Sequence, residues 1–177
     1  LFLLADAARG RPAWQWIYSD EDKLTTRQER VDPLFKPDFS PDLLRSLHYT
    51  GGLSVVRRNV FGALGGYDSA FEGVEDYDLA LRLSASLAPE QVGHLADVLY
   101  HRHELGRVSH LSPEESWDLG QQAVARHCSA LGWPADVARG PVAHSWRVRY
   151  PLDREPQVAI LIPTRDRLED LQRCVDS

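Results

Sequence analysis

Residues 71–83 read Phe-Glu-Gly-Val-Glu-Asp-Tyr-Asp-Leu-Ala-Leu-Arg-Leu, FEGVEDYDLALRL. The stretch predicts a helix from about Glu75 to Leu87, because Leu79, Leu83 and Leu87 recur at helical spacing and Pro89 stops the pattern. β-prone runs flank it: GGLSVVR over 51–57, and a second strand within 92–100. Helices alternating with strands indicate an α/β fold. Further out, a short helix at 59–64 ends on Gly65-Gly66. Ser40-Pro41-Asp42 opens another through Leu47, with a capping Ser, Pro at the first position and an acid in the first turn. Ser112 and Glu115 form a capping box for a helix reaching Leu131. Residues 1–9 read as the tail of a helix, 14–18 (WQWIY) as a strand, and 19–23 (SDEDK) as an acidic loop leaving it. Three prolines within 32–41 demand mostly extended chain. Residues 145–150 alternate as a strand with Trp146, Val148 and Tyr150 on one face.

After the polar linker PLDREP at 151–156 the character changes. VAILI at 158–162 is a continuous apolar run, the mark of a strand buried on both faces. Asp166 and Glu169 then start a helix carrying Leu168, Leu171 and Val175. Strand, polar turn and helix are how an α/β domain opens, which sets a boundary near residue 154 and divides the chain into 1–153 and 154–177. The chain contains no Met, begins inside one helical pattern and stops inside another, so it reads as an internal fragment.

Composition narrows the function. A net charge of -6 and the lack of a dense basic patch argue against a nucleic-acid partner. Hydrophobic residues make up 43%, enough for a packed core. Cys128 and Cys174 form no C-x-x-C pair, which suits a reducing compartment. No apolar run approaches the ~18 residues of a membrane span.

Several residues can carry chemistry. Glu75, Asp76 and Asp78 crowd one helix start. Acids there complement the helix dipole, but three within four residues repel one another, and a carboxylate so placed can take a proton from a hydroxyl nucleophile. Both readings stand at this level. Asp20-Glu21-Asp22 offers a D-x-D for Mg²⁺ or Mn²⁺ and a diphosphate, although a solvated acidic loop is the commoner meaning. His101 and His103 face one side if their strand continues; a metal- or phosphate-facing His and a surface pair are both open. Arg57-Arg58 reads most simply as the end of a strand.

Six segments in order, IYSDEDKL (17–24), FKPDFSPDLL (35–44), YTGGLSVVRR (49–58), LGGYD (64–68), 71–83 and VLYH (98–101), together resemble the bacterial family 2 glycosyltransferases of GT-A fold. The likeness is to the O-antigen and surface-polysaccharide, rhamnosyltransferase-like branch. It implies that residues 1–153 are the C-terminal part of a GT-A domain, and that Asp76, with Glu75 beside it, is the catalytic base. Asp20, Asp22, Tyr49 and Asp68 would line or support the acceptor side. His101 would lie near the metal and diphosphate, with Arg102 standing where many relatives have Trp. The main D-x-D would lie upstream of Leu1. QVAILIPTRDRLEDLQRCVDS (157–177) resembles the first strand and helix of the same fold, so Pro163, Thr164 and Arg165 would meet the nucleotide of a second GT-A domain; the alternative is that VAILIP completes the sheet of the first domain. The implied reaction moves a sugar from a nucleotide-diphospho-sugar donor to a glycan or lipid-linked glycan acceptor, with inversion and a divalent metal, Mg or Mn. The implied setting is the cytoplasm at the inner face of the membrane, with peripheral membrane association of the parent protein. A fragment lacking the donor half would be inactive. Two other classes fit the residues: a non-catalytic glycan-recognition module, and a metal-dependent hydrolase using Asp20, Asp22 and His101.

Overall fold

A computed structural model describes residues 2–103, 110–152 and 154–176. It shows a mixed α/β arrangement built on a mixed sheet. Helix α1 (Phe2–Gly10) leads to the central strand β1 (Trp16–Leu24). Strand β4 (Val92–His103) runs parallel to β1 along its whole length. On the other side β1 carries two antiparallel neighbours in succession. Strand β3 (Ser54–Val56) pairs with 16–18, and β2 (Arg30–Leu34) pairs with 21–24. Pro33 fits β2 because an edge strand tolerates the missing donor.

The acidic stretch 19–23 is not a loop. It is the second half of β1, and Ser19, Asp20, Glu21 and Asp22 are all buried. A buried carboxylate is expensive unless it is paired, and here each is paired. Asp20 accepts from the Lys36 backbone N–H and meets His94 Nε2 at 2.8 Å. Glu21 meets Lys36 Nζ at 3.1 Å, and Asp22 accepts from Arg30 Nε at 2.6 Å.

Helix α2 (Pro41–Ser46) is capped by Ser40, whose hydroxyl accepts from the Leu43 N–H. Helix α3 (Arg58–Ala63) turns on Gly65 and Gly66, both at positive φ. Arg57 before it donates to the carbonyls of Trp14 and Pro12, tying down the end of β3. Helix α4 (Glu75–Ser86) buries Tyr77, Leu79, Leu81 and Leu83 and packs on α5 (Pro113–Ala130), which carries the Ser112/Glu115 capping box. Strands β5 (Asp136–Arg139) and β6 (Trp146–Arg149) form a small antiparallel sheet against α5. Trp146 seats its indole on Gly120, where an added Cβ would come within 2.2 Å of the ring. The Tyr77 ring stacks on Trp146 at 4.7 Å, and the Tyr77 hydroxyl donates to the Leu44 carbonyl, joining α2, α4 and β6 in one core.

The run 158–162 is neither a strand nor buried. Val158, Ile160 and Leu161 are 75%, 79% and 91% exposed. A strand needs a neighbour for its backbone groups, and none of the described strands pairs with it. Helix α6 (Leu168–Val175) forms as expected but buries no residue.

Candidate functional site

The three acids at the start of α4 have three different fates. Glu75 is half-buried and its Oε2 accepts from the Gly73 N–H at 2.6 Å. Gly73 is at φ +98°, and a Cβ there would lie 2.5 Å from Leu111 Cδ1, so the turn into the helix requires glycine. Asp78 is buried, with Oδ2 held by Arg82 and Oδ1 by Arg126. Asp76 is exposed. Its Oδ1 accepts from the Tyr77 N–H, and no Lys or Arg among the described residues forms an ion pair with it.

Asp76 stands between two cavities. One, of about 270 Å³, is lined by His48, Thr50, Gly51, Gly52 and Tyr67 besides Asp76 and the apolar face of α4. The other, of about 310 Å³, is lined by His48, Gly73, Tyr77, Arg102, His144 and Trp146. His48 reaches both and stacks on the Tyr77 ring at 4.8 Å. Burial pushes its imidazole below the ordinary pKa, against the pull of Asp76 and Glu21 and with Lys36 pushing the same way. His48 is therefore neutral at pH 7 and offers one donor and one acceptor nitrogen. Thr50 lines the first cavity, is 1% exposed, and its hydroxyl has no hydrogen-bond partner among the described residues.

Behind Gly51 and Gly52 lies a buried ionic layer. Lys36 Nζ donates to the Gly51 carbonyl at 2.5 Å and to Glu21. Burial lowers the Lys36 pKa, opposed by Glu21 and Asp20. Gly52 is at φ +83°, and a Cβ there would collide with Glu21 Oε2. Asp22 meets His101 Nδ1 at 2.5 Å. Burial raises the Asp22 carboxyl, but hydrogen bonds from His101 and Arg30 outweigh it and hold it below the usual range.

The expected site residues are thus only partly brought together. Asp76 and Glu75 share the helix start. Asp20 and Asp22 are buried supports within the sheet, each bonded on both sides. Tyr49 is 5% exposed and its hydroxyl accepts from the Ser40 N–H, so it braces α2 from within the core. Asp68 caps the short turn Ser69–Phe71 and binds Arg126 at 2.6 Å. Pro163, Thr164 and Arg165 lie in exposed, irregular chain. Among the described residues no three His, Cys, Asp or Glu side chains could hold a metal ion together. Asp22 meets His101 through Nδ1, which leaves His101 Nε2 outside that bond, but no third such side chain among the described residues joins the pair to make a metal site. None of the described helices is long and apolar enough to cross a membrane.

The residues that sequence reasoning passed over are His48, Thr50, Lys36 and Arg126. Lys36 and Thr50 lie inside segments already singled out, FKPDFSPDLL and YTGGLSVVRR, and the double glycine of the latter was the available signal. Arg126 carries no local signal.

No protein-family profile matches the chain. It is similar to the O-antigen biosynthesis protein RfbC of Myxococcus xanthus, with 38% identity over 98% of this chain and 14% of that protein. It is also similar to the uncharacterized protein y4gI of Sinorhizobium fredii, with 33% identity over 100% of this chain and 20% of that protein. The chain therefore spans a fifth or less of the length of these relatives.

Proposed function

We propose that residues 1–153 carry the acceptor side and the catalytic base of an inverting family 2 glycosyltransferase of GT-A fold that extends a cell-surface glycan. The observation that carries this reading is Asp76: alone of three clustered acids it is exposed, free of ion pairs among the described residues, and set between two cavities. The name of the Myxococcus relative, an O-antigen biosynthesis protein, supports the same class of product.

The chemistry follows from the placement. An acceptor hydroxyl in a cavity beside Asp76 passes its proton to the carboxylate as its oxygen attacks the anomeric carbon of the donor sugar. The bond from that carbon to the diphosphate breaks on the opposite face, and the nucleoside diphosphate leaves with the bonding pair. Neutral His48, which lines both cavities, can hold a sugar hydroxyl beside Asp76. His101 would lie near the diphosphate and its divalent metal, Mg²⁺ or Mn²⁺, whose remaining ligands would come from residues other than those described. Residues 154–177 are read as the opening of a second such domain. The setting proposed is the cytoplasmic face of a membrane that carries the lipid-linked acceptor.

A single in-line displacement inverts the anomeric centre, whereas a double displacement needs a second carboxylate as nucleophile. Glu75 is bonded to its own turn and Asp78 is clamped between two arginines, which leaves Asp76 as the one unclamped carboxylate of the three. The longest natural chain containing residues 1–177, given an α-linked nucleotide sugar and a membrane glycan acceptor, is expected to yield a β-linked product by NMR. An α-linked product would contradict the mechanism.

A further inference from the structure

Asp68 and Asp78 bracket the segment that presents Asp76, and one side chain from another helix holds both. Arg126 of α5 binds Asp68 Oδ2 through Nη1 at 2.6 Å and Asp78 Oδ1 through Nη2. Its guanidinium also lies over the Phe71 ring, 4.0 Å from the centroid, in the middle of the same segment. Arg82 completes the grip. It binds Asp78 Oδ2 through Nε and donates to the carbonyls of Leu64 and Gly66 at 2.8 Å each. Both oxygens of Asp78 are thereby taken by different cations, so the first turn of α4 cannot rotate without breaking one of them.

We infer that Arg126 is a positioning residue for Asp76: by tying Asp68 to Asp78 it fixes the 68–78 segment and the direction in which the Asp76 carboxylate faces. The inference rests on the reading of Asp76 as the base. Arginine is required by geometry, since a planar fork serves two carboxylates at once and an ammonium on a flexible stem does not. The Arg126 side chain is 40% exposed, and ion pairs this open add little to stability. Its value lies in orientation, where a displacement of about 1 Å costs on the order of 100-fold in rate.

The test is steady-state transfer kinetics of Arg126→Lys in the longest natural chain containing residues 1–177, with Asp76→Asn in parallel. The expected result is a fall in kcat of about 10- to 100-fold with the KM values for donor and acceptor within about twofold. A role confined to stability would lower the melting temperature and leave kcat per folded molecule unchanged, and that result overturns the inference. If Arg126→Lys does not fold, Asp68→Asn decides, because it releases one arm of the clamp and keeps the buried Asp78 pair. An unchanged kcat in that variant also overturns the inference. Full activity in Asp76→Asn would instead remove the base assignment on which the inference stands.

Discussion

Asp78 has both carboxylate oxygens bound by arginines within the core, whereas Asp76, two residues earlier on the same turn, has one oxygen on a backbone N–H and faces the cavities. Position in sequence does not separate them; the rotation of the helix does. The contrast is measurable as stability. Asp78→Ala removes the buried carboxylate that accepts from both Arg82 and Arg126 and is expected to destabilise the fold by about 1–3 kcal/mol. Asp76→Asn keeps the shape of an exposed side chain and is expected to stay within about 0.5 kcal/mol. Urea denaturation of the two variants reads the difference, and equal losses would contradict the assigned environments. The group that is cheap to replace for folding is the one that the proposed mechanism needs.

Packing of elements makes two histidines sensitive to pH. Burial lowers the pKa of His48, beneath α4, and of His127, on α5. Between the lowered native value and the ordinary value of about 6.5, the unfolded chain binds more protons than the folded one. Stability therefore rises with pH through this window, levels off above about 6.5, and falls as pH drops below it. The double variant His48→Asn, His127→Asn is expected to show a melting temperature flatter with pH between about 5 and 7 than the parent; an identical slope would contradict the assignment. The elements themselves were unevenly legible. Ser40, Ser112 and Glu115 announced α2 and α5, since caps are local chemistry. The acidic half of β1 was misread because its partners come from elsewhere in the chain: His101 meets Asp22 across 79 residues and His94 meets Asp20 across 74. Strand β5 was missed, and Arg126 with it, because neither has a meaning before α5 packs against its neighbours.

At the scale of the whole molecule, residues 157–176 stand apart. Leu168 and Val175 of α6 are 75% and 67% exposed, and the apolar run before them is as open. The run's composition showed that it wants burial, but nothing among the described residues supplies a surface for it. Truncation after Leu152 is accordingly expected to change the melting temperature by no more than about 2 °C, since almost no apolar area is lost from the core. A larger drop by calorimetry would show that this segment holds the rest. The Arg126 clamp and the ionic layer beneath Gly51 and Gly52 belong to residues 1–153, as does Asp76, which lines two cavities. That geometry makes Asp76 the centre of the account, and one measurement addresses it directly: the rate of sugar transfer by Asp76→Asn in the longest natural chain that contains residues 1–177. Loss of the base predicts a fall of about 10²–10⁴-fold with donor binding retained. Transfer at the parent rate would contradict it.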